Sequence, residues 1–249
     1  MFETFIFILG LIIGSFLNCV IYRIEKNKSL KGRSFCPHCK KKIAWHDLIP
    51  VLSFFILKGK CRNCGKSISW QYPLVEFSTA ILFVIIIGLR MSFLSQFFLL
   101  IISSLLIIIF VYDLKHMIIP DRIIFSAIGI SFIYQLINLK LDVLENLLMA
   151  IIAALPFLFI VIISQGKWMG GGDVKLAFLI GLLLGFPDFI VALFFAFLLG
   201  AVIGIILIIK QKKTLKSEVP FGPFLVAGIF VALFWSDKIV QFYFDIFIF

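Results

Sequence analysis

Long apolar runs separated by polar stretches dominate the pattern of this chain. Most of them approach the ~20 residues that an α-helix needs to cross a hydrocarbon core about 30 Å thick. Eight runs are predicted, at Glu3–Tyr22, Pro73–Leu89, Phe93–Tyr112, Ile123–Leu139, Val143–Ser164, Val174–Phe186, Phe189–Ile209 and Phe221–Trp235. The sixth is short, because it has 12 residues from Val174 to Gly185, about 18 Å of helix. The pattern predicts an all-α polytopic membrane protein with about eight transmembrane helices.

The composition agrees with this interpretation. The chain of 249 residues is 62% hydrophobic and 14% charged, whereas a soluble domain is roughly half apolar and a quarter charged. An ordinary soluble protein is therefore excluded. The first run is not typical of a signal peptide, because its basic flank at Arg23 follows the apolar residues instead of preceding them.

The net charge of +10 is concentrated in one polar loop. Between Arg23 and Lys66 lie 12 of the 23 Lys and Arg residues, and loops rich in these residues stay on the cytoplasmic side. With eight crossings, 20 basic residues fall on that side, and the other three are Arg90, Lys140 and Lys238. No recognition helix accompanies the basic loop, so we expect membrane lipid as a partner and no nucleic acid.

The same loop contains two CxxC pairs separated by 21 residues, Cys36–Cys39 and Cys61–Cys64. Four thiolates at this spacing can close a tetrahedral site, normally for zinc. Disulfides are an alternative that fits poorly with a reducing cytoplasm, and an iron–sulfur cluster is another. Because a closed four-cysteine site is usually structural, we expect zinc to fold the loop rather than to catalyse a reaction.

Two aspartates next to apolar runs are the candidate reacting groups. Asp113 follows the run that ends at Tyr112, and Asp173 follows three glycines in Trp168–Lys175, which reads WMGGGDVK. Acids in membrane segments are rare unless they face a cavity or act chemically. Two carboxyl groups that share a site can divide the roles of general acid and general base. An interfacial charge for Asp113, and a flexible turn with a helix-capping acid for GGGD, are the competing interpretations.

Several nearby residues are predicted to support this pair. Gly170, Gly171 and Gly172 lack Cβ atoms, so they permit strained conformations and the close approach of a substrate backbone. Asp121 is interpreted as a helix N-cap or as a supporting acid. The remaining predicted supporting or substrate-positioning residues are Lys175, which can pair with an acid, and Glu76, an interfacial acid at the start of the second run.

Six segments, taken in order, make the chain resemble the type IV prepilin peptidase family of membrane aspartic proteases. They are Gly14–Arg23 (GSFLNCVIYR), the two CxxC pairs, Tyr72–Glu76 (YPLVE), Asp113–Asp121 (DLKHMIIPD), Gly170–Leu176 (GGGDVKL) and Pro220–Gly228 (PFGPFLVAG). Any one segment alone is weak, but together they cover nearly the whole chain. The cysteine loop is typical of the bacterial members.

The resemblance implies an activity and a location. Family members remove the basic leader from type IV prepilins or pseudopilins after a glycine, at the cytoplasmic face of the inner membrane. Many also methylate the new N-terminal residue, with S-adenosylmethionine as the methyl donor. By the same resemblance Asp113 and Asp173 are catalytic. The predicted division is residues 1–23 as the first helix, 24–72 as the zinc loop and 73–249 as a seven-helix protease core.

Two functions of other classes compete with the protease. A transporter with a zinc-bearing loop requires acids at mid-membrane depth along a path across the bilayer, whereas both aspartates are predicted near one face. A non-catalytic factor in pilus or secretion assembly would be expected if the reacting pair had been lost, and both aspartates are present.

Overall fold

The computed structural model describes residues 2–138, 143–210 and 219–247. Within these residues the chain is helical, and extended pairing is limited to two isolated bridges, Phe35 with Lys42 and Lys60 with Ser67. A 3-10 helix covers Trp45–Leu48. The α-helices are α1 (Phe2–Glu25), α2 (Leu52–Ile56), α3 (Gln71–Gly88), α4 (Phe93–His116), α5 (Asp121–Ile137), α6 (Val143–Ser164), α7 (Gly171–Leu184), α8 (Asp188–Ile209) and α9 (Gly222–Phe247).

The eight apolar runs correspond to the eight helices other than the short α2, which confirms the all-α membrane fold. Six of the described helices are long and apolar enough to cross a membrane, namely α1, α3, α4, α6, α8 and α9. Helix α5 has 17 residues and α7 has 14, so their lengths leave the predicted count of eight crossings unconfirmed. Helix α7 begins three residues before the predicted Val174 and spans about 21 Å.

Some sequence predictions fall outside the described residues. They are the end of the fourth run at Leu139 and the basic residue Lys140.

The chain separates into two compact units, Met1–Ile108 and Ile109–Phe249. This boundary falls within α4 and cuts the chain differently from the three-part division of the sequence, which stays a prediction. In the first unit α1 packs closely on α3, because a Cβ at Gly10 would lie 2.5 Å from Ala80 Cα. As expected for a polar residue within a membrane helix, Asn18 bonds to the neighbouring helix, with Nδ2 donating to Tyr72 O at 3.1 Å.

In the second unit the short helix α7 packs against α5, α6, α8 and α9. Its side chains from Leu176 to Leu182 are largely buried. The close contact with α6 requires a glycine, because a Cβ at Gly181 would lie 2.5 Å from Ala150 Cα. Small residues at such crossings let membrane helices approach and gain packing energy where no hydrophobic driving force operates. The packing of α7 holds its first turn, and therefore Asp173, in one place.

Candidate active site and metal centre

Asp113 lies in the last turn of α4 and is 4% exposed. Its carboxylate faces the backbone N–H of Gly222, the first residue of α9. Oδ2 is buried and has no hydrogen bond of good geometry to any described residue. A Cβ at Gly222 would lie 2.6 Å from that oxygen, which is closer than real Cβ contacts come. The carboxylate therefore requires a glycine at the start of α9.

Asp173 is the third residue of α7, and Gly170 is the N-cap residue of that helix. The Asp173 N–H donates to Gly170 O at 3.2 Å, and the Asp173 carboxylate faces the Gly170 backbone N–H. An acid at this position that reaches back to the N-cap N–H forms half of a capping box. The backbone at the start of α7 thus orients the carboxylate.

The structure brings the two aspartates together in the second unit. Their carboxylates are close enough for the charge of Asp113 to act on Asp173. Asp113 comes from the C-terminal end of α4 and Asp173 from the N-terminal end of α7. The arrangement can hold one proton and one negative charge between two carboxyl groups, as a general acid and base require.

Ile119 fills the space beside this pair. It is buried and follows Met117, which turns the chain after α4 with a φ of 54°. A Cβ at Gly172 would lie 3.0 Å from the Ile119 Cβ, and one at Gly222 would lie 3.4 Å from the Ile119 Cδ1. The side chain therefore lies between the first turns of α7 and α9. Side chains at either glycine would compete with it for the same volume.

The glycine triplet is less strained than we expected. None of Gly170, Gly171 and Gly172 has a positive φ, because Gly170 is extended at φ −80° and the other two begin α7. The conformational freedom that these glycines permit is not used in this turn. The lack of a Cβ matters at Gly172, where Ile119 is the neighbour, whereas a Cβ at Gly171 would meet nothing within 4 Å.

Asp121 and Lys175 form an ion pair between α5 and α7. Lys175 Nζ lies 2.5 Å from Asp121 Oδ1 and 5.1 Å from the centre of the Phe125 ring. The prediction of Asp121 as an N-cap was wrong. The N-cap is Pro120, and Asp121 is the first helical residue, where a negative charge still interacts favourably with the helix dipole.

Glu76 lies near the start of α3, and its side chain is buried. It is 7% exposed, and Oε2 accepts a hydrogen bond from the Val51 N–H at 2.7 Å. The Ser15 side chain on α1 also faces the Glu76 carboxyl group. Val51 has a φ of 61°, a conformation that a β-branched residue rarely adopts. Glu76 therefore ties α1 and α3 to the segment that precedes α2.

The four cysteines form a second cluster, in the first unit. The Sγ atoms of Cys36, Cys39, Cys61 and Cys64 all lie within 4.8 Å of one another, and all four are free thiols. The Sγ atoms of Cys36 and Cys64 are 3.9 Å apart. This fits a tetrahedral metal with metal–sulfur bonds of about 2.3 Å, whose sulfurs are about 3.8 Å apart. The cluster can hold a metal ion.

Each CxxC pair sits in the same kind of tight turn. Cys36 N–H donates to Lys41 O at 3.0 Å, and Cys61 N–H donates to Lys66 O at 2.9 Å. The matching residues that turn each hairpin, Lys40 and Gly65, both have positive φ. The loop thus presents two equivalent turns with two thiols each, an arrangement typical of structural zinc sites.

Three neighbours of these sites did not emerge from sequence reasoning. Gly222 entered the prediction only within the segment PFGPFLVAG, and its close approach to the Asp113 carboxylate is visible only in the structure. Ile119 carries no chemical signal, so only packing reveals it. Val51 likewise has no signature for its positive φ.

Two family models match successive parts of the chain. The family model described as the bacterial peptidase A24 N-terminal domain matches residues 8–89. The model described as the type IV leader peptidase family matches residues 100–205. No solved structure matches the chain significantly.

Curated relatives match over nearly the full length. A prepilin leader peptidase/N-methyltransferase of Bacillus subtilis is 36% identical over 242 residues, which cover 96% of this chain and 97% of the relative. The protein of the same name from Vibrio cholerae is 35% identical and covers 94% of this chain and 96% of its own. One from Legionella pneumophila is 32% identical, with 94% and 91% covered.

Proposed function

Because this chain belongs to the type IV leader peptidase family, we propose that it is a membrane aspartic endopeptidase with Asp113 and Asp173 as its reacting pair. Its substrates are type IV prepilins or pseudopilins, from which it removes the basic leader after a glycine. The observation that carries this proposal is that the last turn of α4 and the first turn of α7 bring the two carboxyl groups near each other, on either side of Ile119. A transporter or an assembly factor is not favoured, because the curated relatives are named as peptidases.

The proposed reaction uses one carboxylate and one carboxylic acid. The ionised member takes a proton from a water molecule as that water attacks the carbonyl carbon of the scissile peptide bond. The protonated member donates its proton to the carbonyl oxygen, which gives a tetrahedral diol. The member that took the water proton then donates it to the leaving nitrogen, while the other member accepts a proton from a diol hydroxyl and the C–N bond breaks. The Asp113 Oδ2 has no well-formed hydrogen bond to a described residue. It is therefore available to bind the attacking water or to carry the proton that the two carboxyl groups share.

The start of α7 and α9 would orient the pair and limit the space beside it. The Gly170 backbone holds the Asp173 carboxylate, and the Gly222 N–H faces the Asp113 carboxylate. A positioned carboxylate loses less entropy when it reacts. Ile119 already occupies the space beside Gly172 and Gly222, whereas Cβ positions at Gly170 and Gly171 meet no side chain within 4 Å. We therefore expect the glycine run, Gly170, Gly171 and Gly172, to leave clearance for a substrate backbone on the side away from Ile119.

Three other charged residues, Asp121, Lys175 and Glu76, are assigned supporting roles. Asp121 is exposed and paired with Lys175, and it would attract a basic leader when the leader competes for that carboxylate. Lys175 positions the Asp121 carboxylate and partly neutralises its negative charge. Glu76 is buried and bonded to Val51, so its role is to position the loop rather than to attract the leader.

The cofactors and orientation complete the proposal. Zinc held by Cys36, Cys39, Cys61 and Cys64 would fold the loop, with four thiolates closing the coordination shell against substrate. The loop and the reacting pair lie on the cytoplasmic side of the inner membrane, where loops rich in Lys and Arg remain. S-adenosylmethionine supplies the methyl group for the new N-terminus, and no residue of this chain is assigned to it.

The test is a direct measurement of mass. The purified protein is incubated in lipid with a prepilin-like peptide, with and without S-adenosylmethionine. We expect loss of the leader in both reactions and a gain of one methyl group only with the donor. Cleavage without methylation would remove the transferase part, and an intact peptide would overturn the peptidase. The Asp113→Asn variant controls for contaminating proteases.

A further inference from the structure

The cysteine loop, residues 24–72, carries an apolar surface that the described part of the chain leaves exposed. We call it the apolar patch and define it as Trp45, Leu48, Ile49, Leu52, Phe55 and Ile56. All six side chains are exposed, and Trp45 and Ile56 reach 75% and 71%. Contiguous apolar surface of this kind marks a binding surface or a contact with lipid. It lies in the most basic loop of the chain, where water-facing side chains would be expected to be polar.

Helix α2 sits at the level where α3 begins. Its one buried side chain, Phe54, packs on Trp70 with ring centres 4.8 Å apart, and Phe55 lies 6.4 Å from the same ring. Trp70 is the N-cap residue of α3, a helix long and apolar enough to cross a membrane. Tryptophan is enriched at this boundary between hydrocarbon and water. The position of Trp70 therefore places α2 at the membrane interface.

The apolar patch continues into the exposed side of α3. Trp70, Leu74 and Phe77 are exposed and follow one another at the spacing of one helix face. On a helix that crosses the membrane, an exposed apolar face is covered by lipid. Phe55 on α2 contacts Trp70 at the N-terminal end of this face. Lipid that covers the exposed face of α3 would therefore also contact α2.

The chain also holds α2 in a defined orientation. Val51 precedes α2 with a φ of 61°, and the Glu76 carboxylate anchors its N–H. Backbone strain of this kind persists only where surrounding structure imposes it. Lys58 and Lys60, both exposed, follow α2 directly. The loop from Arg23 to Lys66 has 12 basic residues and two acids, Glu25 and Asp47, so it complements anionic headgroups.

We propose that α2 and the 3-10 helix before it form an interfacial anchor. Their apolar patch inserts among the headgroups and upper acyl chains of anionic phospholipid, and the lysines around it contact the phosphates. A surface with apolar residues on one side and basic residues beside it is the type that lies in the plane of the interface. The anchor holds the metal-binding turns against the membrane. This inference is independent of the proposed peptidase activity.

Photochemical crosslinking in the full-length protein tests the anchor. p-Benzoylphenylalanine replaces Phe55 in one variant and Ile56 in another, and each is reconstituted in vesicles of phosphatidylethanolamine and phosphatidylglycerol. After irradiation, mass spectrometry identifies what is attached. We expect phospholipid adducts at both positions, several-fold more abundant than at Asn63, an exposed polar position of the same loop. Both replaced side chains are exposed, so the fold should tolerate the change.

If the patch contacts protein or water instead of lipid, the crosslinked products will differ. Adducts to a second copy of the chain, or adducts no more abundant than at Asn63, would overturn the proposal. The dependence on headgroup charge is measured in vesicles of phosphatidylcholine alone. There we expect fewer adducts at position 55, because the lysines then lose the anionic lipid, and an unchanged yield would remove the electrostatic part. Retained metal content in each variant verifies that the loop is folded.

Discussion

The cysteine cluster and the aspartate pair differ in how far the chain must fold before each exists. Each CxxC turn is closed by hydrogen bonds that span ten residues at most, such as Cys36 to Lys41 and Ile43 to Ser34. The aspartates are 60 positions apart and meet only where α4 and α7 come together. A site made from local turns is determined by spacing, whereas a site made from helix ends is determined by packing. The two should therefore fail in different ways.

The largest expected effect is at the reacting pair. Asp113→Asn or Asp173→Asn keeps the side-chain volume but removes one ionisable carboxyl group. We expect cleavage of a prepilin-like peptide to fall by about 10²- to 10⁴-fold, the usual contribution of a general acid or base. The measurement is the initial rate in vesicles, with metal content and helicity as controls. Cleavage at the normal rate by either variant contradicts the assignment.

A packing change should damage the aspartate site with its carboxyl groups intact. The Cβ of Gly222→Ala would lie 2.6 Å from the Asp113 Oδ2, so the carboxylate or the start of α9 must shift. Overpacking of this kind costs about 1–3 kcal/mol, and we expect cleavage to fall by at least tenfold.

Gly204→Ala on α8 is the matched control, because its Cβ would meet nothing within 4 Å. We expect this variant to cleave normally. If Gly222→Ala and Gly204→Ala have the same rate, the dependence of the aspartate site on packing at Gly222 is wrong. Metal content should be normal in both, since the cysteine cluster belongs to the other unit.

Removal of the metal should damage the cysteine loop and leave the aspartate site largely intact. Chelation, or Cys61→Ser, is expected to expose the loop between residues 24 and 72 to proteolysis, because a structural zinc site contributes its binding energy to folding. Helices α5 to α9 should stay helical, and cleavage should fall less than in the aspartate variants. Metal analysis and limited proteolysis measure both effects. A loop that stays protected without metal would contradict the structural role of the cluster.

The smallest effect is expected at the exposed ion pair. Lys175→Met keeps the aliphatic side chain and removes the charge that contacts Asp121. Partly exposed pairs contribute about 0–1 kcal/mol, so we expect little change in the free energy of unfolding. The cleavage rate should change by a few-fold and mainly at low salt, where attraction of a basic leader to Asp121 is strongest. A loss as large as that of Asp173→Asn would mean that Lys175 acts on the reacting pair.

The two sites also differ in how far sequence reasoning reached. Both CxxC pairs and their spacing predicted the cluster, and the structure confirms that the four thiols lie together. For the aspartates, the apolar runs placed each acid at the end of a helix, which is where α4 and α7 carry them. The contact between the two followed from resemblance. The distance between two helix ends cannot be derived from the sequence pattern.

The errors have physical causes as well. Glu76 reads as an acid at the start of a helix, but it is buried because a backbone N–H from the loop offers it a hydrogen bond. The glycine triplet reads as a loop, but two of its members begin α7 because the packed helix continues to its first turn. Asp121 is not the N-cap, because Pro120 occupies that position. In each case a tertiary contact or a neighbouring residue decided between local alternatives.

The sequence by itself determined that this chain is a helical membrane protein with a four-thiol loop. The length of a hydrophobic run is a property of one helix, and the cysteine spacing is a property of one loop. Neither depends on the rest of the fold. Only the tertiary structure decided that Gly222 and Ile119 enclose the Asp113 carboxylate, and that Glu76 anchors the segment before α2. Those contacts arise when helices distant in sequence pack at separations that a single Cβ would prevent.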